Sequence, residues 1–275
     1  MRIDAHQHYW LYNEQEFGWL DDSMAKLRRD FLPADVKPEL DSLGYEGCVA
    51  VQARESLHEN TFLLDLADRF SFIRGVVGWV DVASDACQIQ LENFTTRKKL
   101  VGVRAIAQGQ EEGFFLRPSF LEGIALLESF SMTYDILIFP NQLVEATQFV
   151  RRFSNQPFVL DHMAKPEIRK KQREPWASGI KELAKAENVW CKVSGLVTEA
   201  DLRFWSSDDL RFYVDTVLEA FGPKRLMIGS DWPVCLAAGE YQTVIQAQET
   251  LVANLSAAEQ ALVLGENARG FYRLG

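Results

Sequence analysis

Short apolar segments recur along the chain at nearly even intervals, and polar or amphipathic segments separate them. Eight apolar segments can be distinguished: MRIDAHQH, GCVAVQA, IRGVVGWVD, LVGVRAIAQ, YDILIFP, PFVLDHMAKP, VWCKVSGL and RLMIGSDWP. Such short, β-branched and nearly continuous apolar runs are typical of strands in a parallel sheet that is buried on both faces. The pattern therefore predicts eight buried parallel strands.

The segments between these strands favour helices. Apolar residues recur at helical spacing over 60–69, 119–130, 142–153, 176–187 and 208–221, and 256–272 predicts closing helices. Eight alternating strand and helix units favour a (β/α)8 TIM barrel, in which helices cover a closed parallel sheet. A doubly wound open sheet is the alternative fold, but the Gly-rich turn that usually follows its first strand is absent here.

The length of the chain fits one barrel. A barrel of this type uses about 250 residues, and the chain has 275. We therefore expect residues 1–275 to form a single barrel domain. The longest irregular stretch, 10–33, follows the first strand, and long loops of this kind are often binding loops or lids. In a barrel it would lie over the carboxyl-terminal ends of the strands, here called the mouth.

Composition narrows the classes of partner. The chain has 29 basic and 39 acidic residues, a formal charge of −10, which argues against nucleic acid and anionic membranes as partners. No apolar run reaches the roughly 20 residues that span a bilayer, and the N-terminus lacks a signal-peptide pattern. These features predict a cytoplasmic protein with a small-molecule substrate, and they leave a homo-oligomer open. The four cysteines are widely spaced, which predicts reduced, packed thiols.

The strongest local signal for chemistry lies in the first strand, in the segment Asp4-Ala5-His6-Gln7-His8. Residues two apart on a strand point to the same side. We therefore expect Asp4, His6 and His8 to share one face inside the barrel. Two adjacent imidazoles can bind a divalent cation or donate to a developing oxyanion, although two solvated histidines near a terminus would give the same pattern.

Two more candidates follow later strands. His162 ends the sixth strand and Asp231 the eighth, where barrel enzymes place catalytic groups. Because strand eight borders strand one in a closed barrel, we expect Asp231 to adjoin His6 and His8 and to deprotonate water or complete a metal site. A hydrogen bond of His162 within its own loop, and a helix cap or Asx turn at Asp231, are the structural alternatives. His58 opens a predicted helix and is expected at the surface.

Two charged residues interrupt strands that should be buried, so each needs a partner. Arg104 in strand four is expected to hold a substrate group, or to pair with Glu55 or another acid. Lys192 in strand seven is expected to pair with Asp4 across the barrel. Glu55 itself follows the second strand and is a candidate for substrate binding.

Three tryptophans fall in or beside the loops of the mouth: Trp10, Trp19 and Trp232. An indole face suits the apolar side of a sugar or lactone ring. We therefore expect these residues to contribute to substrate binding, while packing is the alternative for each of them.

Read in order, the segments IDAHQHYW, VVGWVD, GVRAIAQ, YDILIFP, FVLDHMAKP, CKVSGLVTEAD, RLMIGSDWPVC and GENARGFY resemble the amidohydrolase superfamily. More narrowly, the chain is similar to the TIM-barrel sugar lactonase branch, which includes L-fuconolactonases and L-rhamnonolactonases. The resemblance covers essentially the whole chain. It implies a hydrolase that opens a sugar-acid lactone, with catalytic residues at His6, His8, His162 and Asp231 and the motif arginine at Arg104.

The resemblance also bears on cofactors. Many metal enzymes of the superfamily use a lysine at the end of strand four and a histidine at the end of strand five. Here those strands end in Ala107-Gln108 and Phe139-Pro140, so a binuclear centre is not expected. One zinc or manganese ion on His6, His8 and Asp231 is the expectation, and related lactonases that need no metal leave direct action by the histidines open.

The expected reaction is attack of water, activated by Asp231, on the lactone carbonyl, while His6, His8 and His162 polarise that carbonyl directly or through one divalent ion. Two other functions stay open. Related barrels with the same histidine pair include metal-dependent decarboxylases of small carboxylic acids, and a barrel that only binds a sugar acid would look similar. The sequence leaves the ring size and the sugar undetermined.

Overall fold

The eight strands form one parallel sheet whose order follows the chain from β1 to β8. The structure is a computed structural model that describes residues 1–275. The strands are β1 Ile3–Gln7, β2 Gly47–Val51, β3 Ile73–Gly78, β4 Leu100–Ile106, β5 Thr133–Leu137, β6 Phe158–Leu160, β7 Val189–Val193 and β8 Leu226–Ile228. Just after β8 along the chain, the Asp231 N–H donates to the His6 carbonyl at 2.9 Å. The Trp232 carbonyl accepts from the His8 N–H at 2.6 Å. These bonds close the sheet, so the predicted barrel is confirmed.

Helices follow the strands as the spacing predicts. They are α1 Pro33–Ser42, α2 Leu57–Arg69, α3 Cys87–Glu92, α4 Pro118–Ser129, α5 Leu143–Val150, α6 Trp176–Leu183, α7 Leu196–Glu199, α8 Ser207–Phe221, α9 Tyr241–Leu251, α10 Ala257–Ala261 and α11 Asn267–Phe271. The five predicted helical segments lie in α2, α4, α5, α6 and α8, although α5 and α6 end a few residues earlier than predicted. No helix combines the length and apolar character that crossing a membrane requires.

Buried apolar side chains form two clusters. The larger one lies between the sheet and the surrounding helices, and it contains all four cysteines, which are buried as predicted. The smaller cluster fills the barrel interior, where strand residues such as Ile3 and Val49 pack against Phe271 and Tyr272 of the C-terminal segment. The barrel is thereby closed at the end opposite its mouth, which leaves the mouth as the open end.

The first strand contains an irregularity that decides which side chains enter the site. The pairing of β1 with β2 shifts register between Asp4 and Gln7. Such a shift changes the side to which the following residues point. Asp4 therefore accepts a hydrogen bond from the Tyr241 hydroxyl of α9 at 3.1 Å, whereas His6 and His8 enter the barrel. The prediction that Asp4 shares their face is wrong.

The segment from 10 to 33 is a long loop, as predicted, with one short 3₁₀ helix at Asp22–Leu27. Trp10 and Phe31 pair as an isolated bridge and pack edge to face, with ring centroids 5.5 Å apart. Phe31 also packs against Trp232 at 5.4 Å. This aromatic packing fixes the loop against the mouth of the barrel.

Candidate active site

Four of the predicted residues meet at the mouth. The Nε2 atoms of His6 and His8 lie 3.2 Å apart. Asp231 Oδ1 lies 3.3 Å from His8 Nε2 and 3.8 Å from His6 Nε2. His162 Nε2 is 4.0 Å from the same carboxylate oxygen, and all four side chains are buried. The structure therefore brings the histidine pair, the strand-six histidine and the strand-eight aspartate into one cluster.

Unusual backbone conformations place two of these residues. Asp231 and His162 have left-handed backbones, with φ of 61° and 52°. Aspartate and histidine tolerate this conformation better than most residues, and such strain persists where surrounding contacts hold it. Gly195, at φ 64°, lies against the His162 ring, and a Cβ there would come within 2.7 Å of Nδ1. Glycine is thus required beside the histidine.

Neighbouring groups fix the orientation of the imidazoles. His8 Nδ1 lies 2.7 Å from the carbonyl oxygen of Val51. Since a carbonyl can only accept, Nδ1 carries the proton and Nε2 turns its lone pair to the site. His162 Nδ1 lies 2.8 Å from Ser194 Oγ, a hydroxyl that can donate and leave the ring Nε2 protonated. The two rings can therefore have different roles, His8 as a ligand and His162 as a donor.

A buried ion network lies directly beneath His6. Lys192 Nζ is 2.6 Å from Asp135 Oδ2, 3.0 Å from Asp161 Oδ1 and 3.2 Å from His6 Nδ1. Arg104 Nη1 donates to Asp161 Oδ2 at 2.9 Å. Two cations and two carboxylates thus neutralise one another in the interior, where an unpaired charge would be strongly unfavourable.

This network corrects the predicted partner of Lys192 and identifies the acid that pairs with Arg104. Lys192 pairs with Asp135 and Asp161 rather than with Asp4, because the register shift in β1 turns Asp4 toward α9. Arg104 pairs with an acid as predicted, but the partner is Asp161 and not Glu55. Glu55 is exposed, and its carboxylate accepts from the Ile106 N–H at 2.8 Å.

Burial controls the protonation of the cluster. It lowers the pKa of His6 well below its ordinary value, and nearby Lys192 lowers it further. Burial likewise lowers the pKa of His162 to about 4. For Asp231, burial alone would raise the pKa, but the adjacent imidazoles outweigh it and hold the pKa well below its ordinary value. Near neutral pH, His6 and His162 are therefore neutral imidazoles, and Asp231 is an ionised carboxylate.

These shifts predict an acid limit on activity that lies below the ordinary histidine range. Because the folded pKa of His162 is depressed to about 4, kcat/KM should hold constant as the pH falls through 6.5 and decline only as it approaches that value. Over the same interval the unfolded chain binds protons that the folded chain does not, so the free energy of unfolding should fall with falling pH. A pH–rate profile checks this, and a decline centred near pH 6.5 would contradict it.

A cavity of about 180 Å³ opens above the cluster. Its wall combines polar and apolar side chains: His8, Trp19, Ala53, Arg104, Ile106, Gln108, Leu137, His162, Lys165, Asp231 and Val234. This volume lies below the usual range of pockets for drug-sized ligands, so it suits a small molecule.

Only some of the residues predicted to bind substrate line this cavity. Trp19 lines the cavity and is 42% exposed. Trp10 and Trp232 are buried and lie outside the wall, and Trp10 packs edge to face on Trp19, with ring centroids 6.0 Å apart. Both indoles pack the loop against the mouth in this structure, and contact of Trp10 or Trp232 with a ligand stays a prediction. Glu55 also lies outside the wall.

Sequence reasoning missed two polar residues of this wall, Gln108 and Lys165. Both follow the ends of strands, β4 and β6, which is where barrel enzymes carry functional groups. That position is the signal that could have identified them. His58, in contrast, is exposed near the start of α2, as predicted.

The donor set fits a single divalent ion. Ligand atoms about 2.0–2.1 Å from a tetrahedral ion lie roughly 3.3–3.4 Å from one another. The separations among His6 Nε2, His8 Nε2 and Asp231 Oδ1 are 3.2, 3.3 and 3.8 Å, and the lone pair of His8 faces their common centre. Two imidazoles and one carboxylate are also a ligand set that catalytic zinc accepts.

The closed barrel and its histidine–aspartate cluster define an amidohydrolase-type TIM barrel. Residues 3–274 match the model of the amidohydrolase family, and the chain belongs to this family. It is 37% identical to the L-fucono-1,5-lactonase of Burkholderia multivorans, covering 100% of this chain and 96% of that protein. It is 35% identical to the L-fucono-1,5-lactonase of Burkholderia ambifaria, over 99% and 96% of the two chains.

The fold is also similar to that of a solved structure with a metal. A Burkholderia multivorans amidohydrolase crystallised with bound zinc superimposes with a TM-score of 0.97 at 36% identity, and 100% of each chain is covered. The predicted family and fold are thereby confirmed.

Proposed function

We propose that this chain hydrolyses a sugar-acid lactone, with L-fucono-1,5-lactone as the substrate to test first. The observation that carries the proposal is the convergence of His6, His8 and Asp231, within 3.2–3.8 Å of one another, on a small cavity. The lactonase names of the relatives support ester hydrolysis over the decarboxylase alternative.

Asp231 acts as the base in the proposed reaction. Its carboxylate is ionised near neutral pH and accepts a proton from water, while the water oxygen forms a bond to the lactone carbonyl carbon. His162, with Ser194 behind it, donates through Nε2 to the carbonyl oxygen as negative charge develops there. The ring C–O bond then breaks, and the proton on Asp231 passes to the departing ring oxygen. The product is the open-chain hydroxy acid.

His6, His8 and Asp231 would hold one zinc ion. When bound, zinc supplies a Lewis acid that polarises an ester carbonyl. The chain's own contribution is the orientation of the ligands, through the Val51 carbonyl at His8 and the Asp161–Lys192 pair at His6. Arg104, whose guanidinium lies 3.4 Å from His6 Nε2 and is paired with Asp161, supports the cluster from the side of β4.

Zinc binding gives a prediction that is independent of turnover. The protein should bind one equivalent of zinc, and His8→Gln should weaken that binding by more than about 100-fold, because losing a ligand exceeds the 10–100-fold effect of losing its hydrogen-bond partner. Competition with a fluorescent chelator measures the affinity. The matched control is His58→Gln, which changes an exposed histidine on α2. Equal affinity of both variants would contradict the ligand assignment.

Among the predicted aromatic contacts, we propose that Trp19 alone packs on the sugar ring. Its exposed indole faces the cavity, and Trp10 supports it from the buried side. Trp10, Trp232 and Glu55 act on the substrate only through the shape of the mouth.

A panel of 1,4- and 1,5-aldonolactones tests the function. Acid release is followed with a pH indicator and corrected for spontaneous hydrolysis, and carbon dioxide release is measured in parallel with small carboxylic acids. The proposal requires acid release above background that prefers a deoxy-sugar lactone. Carbon dioxide release without lactone hydrolysis would replace it with the decarboxylase function.

A further inference from the structure

The segment after β6 has an unusual backbone that extends beyond His162. Four consecutive residues, from His162 at φ 52° to Lys165 at φ 50°, are left-handed. L-residues avoid this conformation, which persists only where the surroundings hold it. Met163 and Ala164 are fully buried, and the Trp176 indole N–H donates to the Met163 carbonyl at 2.7 Å. The turn brings both of its ends, His162 and Lys165, to the cavity wall.

The ammonium group of Lys165 forms a loose ion pair with the Glu199 carboxylate, and its three donors remain available to a ligand. Its Nζ lies 3.9 Å from Glu199 Oε1, beyond hydrogen-bond distance, and 5.9 Å from the centroid of the Phe139 ring. An ammonium has three donors and no acceptor, and Lys165 forms no hydrogen bond through them within the chain. Among the residues lining the cavity it is the only lysine.

Gln108 contributes the complementary acceptor. Its side-chain carbonyl oxygen is buried and has no hydrogen-bond partner, which is unfavourable unless a ligand supplies a donor. The backbone on both sides of Gln108 is fixed by Gln142, whose amide donates to the Ala107 carbonyl at 2.8 Å and accepts from the Gly109 N–H at 3.3 Å. The unsatisfied oxygen of Gln108 therefore lies on a segment of the cavity wall whose backbone is fixed by hydrogen bonds.

We propose that Gln108 and Lys165 determine specificity by binding the ring hydroxyl groups of the substrate, Gln108 as acceptor and Lys165 as donor. The inference rests on the proposed lactone hydrolysis and adds the residues that recognise the hydroxyl groups of the substrate. Five other wall residues are apolar and suit a carbon face or a methyl substituent: Trp19, Ala53, Ile106, Leu137 and Val234. A wall of this kind fits a deoxy-sugar lactone, which combines hydroxyl groups with a methyl group.

Steady-state kinetics of Gln108→Leu and Lys165→Met test this proposal with L-fucono-1,5-lactone. Each variant should raise KM about tenfold or more, the usual effect of losing one hydrogen bond, while kcat changes less than about threefold. The open-chain acid retains the same hydroxyl groups, so its inhibition constant should rise in parallel. Matched controls are Gln110→Leu and Lys170→Met, two exposed neighbours outside the cavity wall, which should leave both constants unchanged.

Lactones that lack one hydroxyl group distinguish the loss of a substrate contact from a general structural effect of the substitution. The wild type should disfavour such an analogue by about tenfold, and the variant that has lost the corresponding contact should not. Folded variants with unchanged KM, or with equal losses on every lactone, would overturn the inference while wild-type turnover still supports the function. Absence of wild-type lactone hydrolysis would instead overturn the proposed function and the inference with it.

Discussion

Asp231→Asn should lower kcat for lactone hydrolysis about 1000-fold, within the range that general-base catalysis contributes. The amide is nearly the same size as the carboxylate but cannot accept a proton from water. Asparagine also tolerates the left-handed backbone that Asp231 adopts at φ 61°. The variant should therefore fold normally, and single-turnover and steady-state rates measure the loss.

Asp215→Asn provides the matched control, because Asp215 is an exposed aspartate on α8. That variant should keep the wild-type rate. A rate for Asp231→Asn within tenfold of the wild type, in protein with an unchanged melting curve, would show that another group is the base.

Lys192→Met should destabilise the fold more than any surface charge substitution. Lys192 is fully buried, and its ammonium pairs with Asp135 and Asp161. Methionine would leave both carboxylates without this cation, and breaking a buried ion pair in this way costs about 3–5 kcal/mol. For a chain of this size the melting temperature should fall by roughly 10 °C, measured by calorimetry.

A surface lysine gives the comparison. Lys181 pairs with Glu219 at 2.9 Å, but its side chain is 51% exposed, and exposed pairs contribute about 0–1 kcal/mol. Lys181→Met should therefore leave the melting temperature nearly unchanged. Equal effects of the two substitutions would mean that the buried network does not stabilise the barrel.

The strand pattern and the histidine pair were readable from sequence because both depend on local regularity. Continuous apolar runs identify strands buried on both faces, and alternation at the end of β1 and just beyond it places His6 and His8 together. Asp231 followed from topology, since the last strand of a closed barrel must border the first.

The errors arose where local regularity breaks. The register shift in β1 turns Asp4 away from His6. The alternation of residues along a strand does not predict where such a shift occurs. The pairing of Lys192 with Asp135 and Asp161, in place of Asp4, depends on which side chains meet inside the barrel. The position of Lys165 after β6 marks it as a candidate, but it reaches the cavity through a left-handed turn of residues that rarely adopt this conformation, and no sequence signal marks the turn itself.

The most direct test of the central claim is the initial rate of L-fucono-1,5-lactone hydrolysis by purified wild-type protein, measured against spontaneous hydrolysis and against Asp231→Asn. If the cluster of His6, His8 and Asp231 is a lactone-opening centre, the wild type should release acid well above background and the variant should barely exceed it. A wild-type rate equal to the spontaneous rate, in folded protein supplied with zinc, would contradict the account.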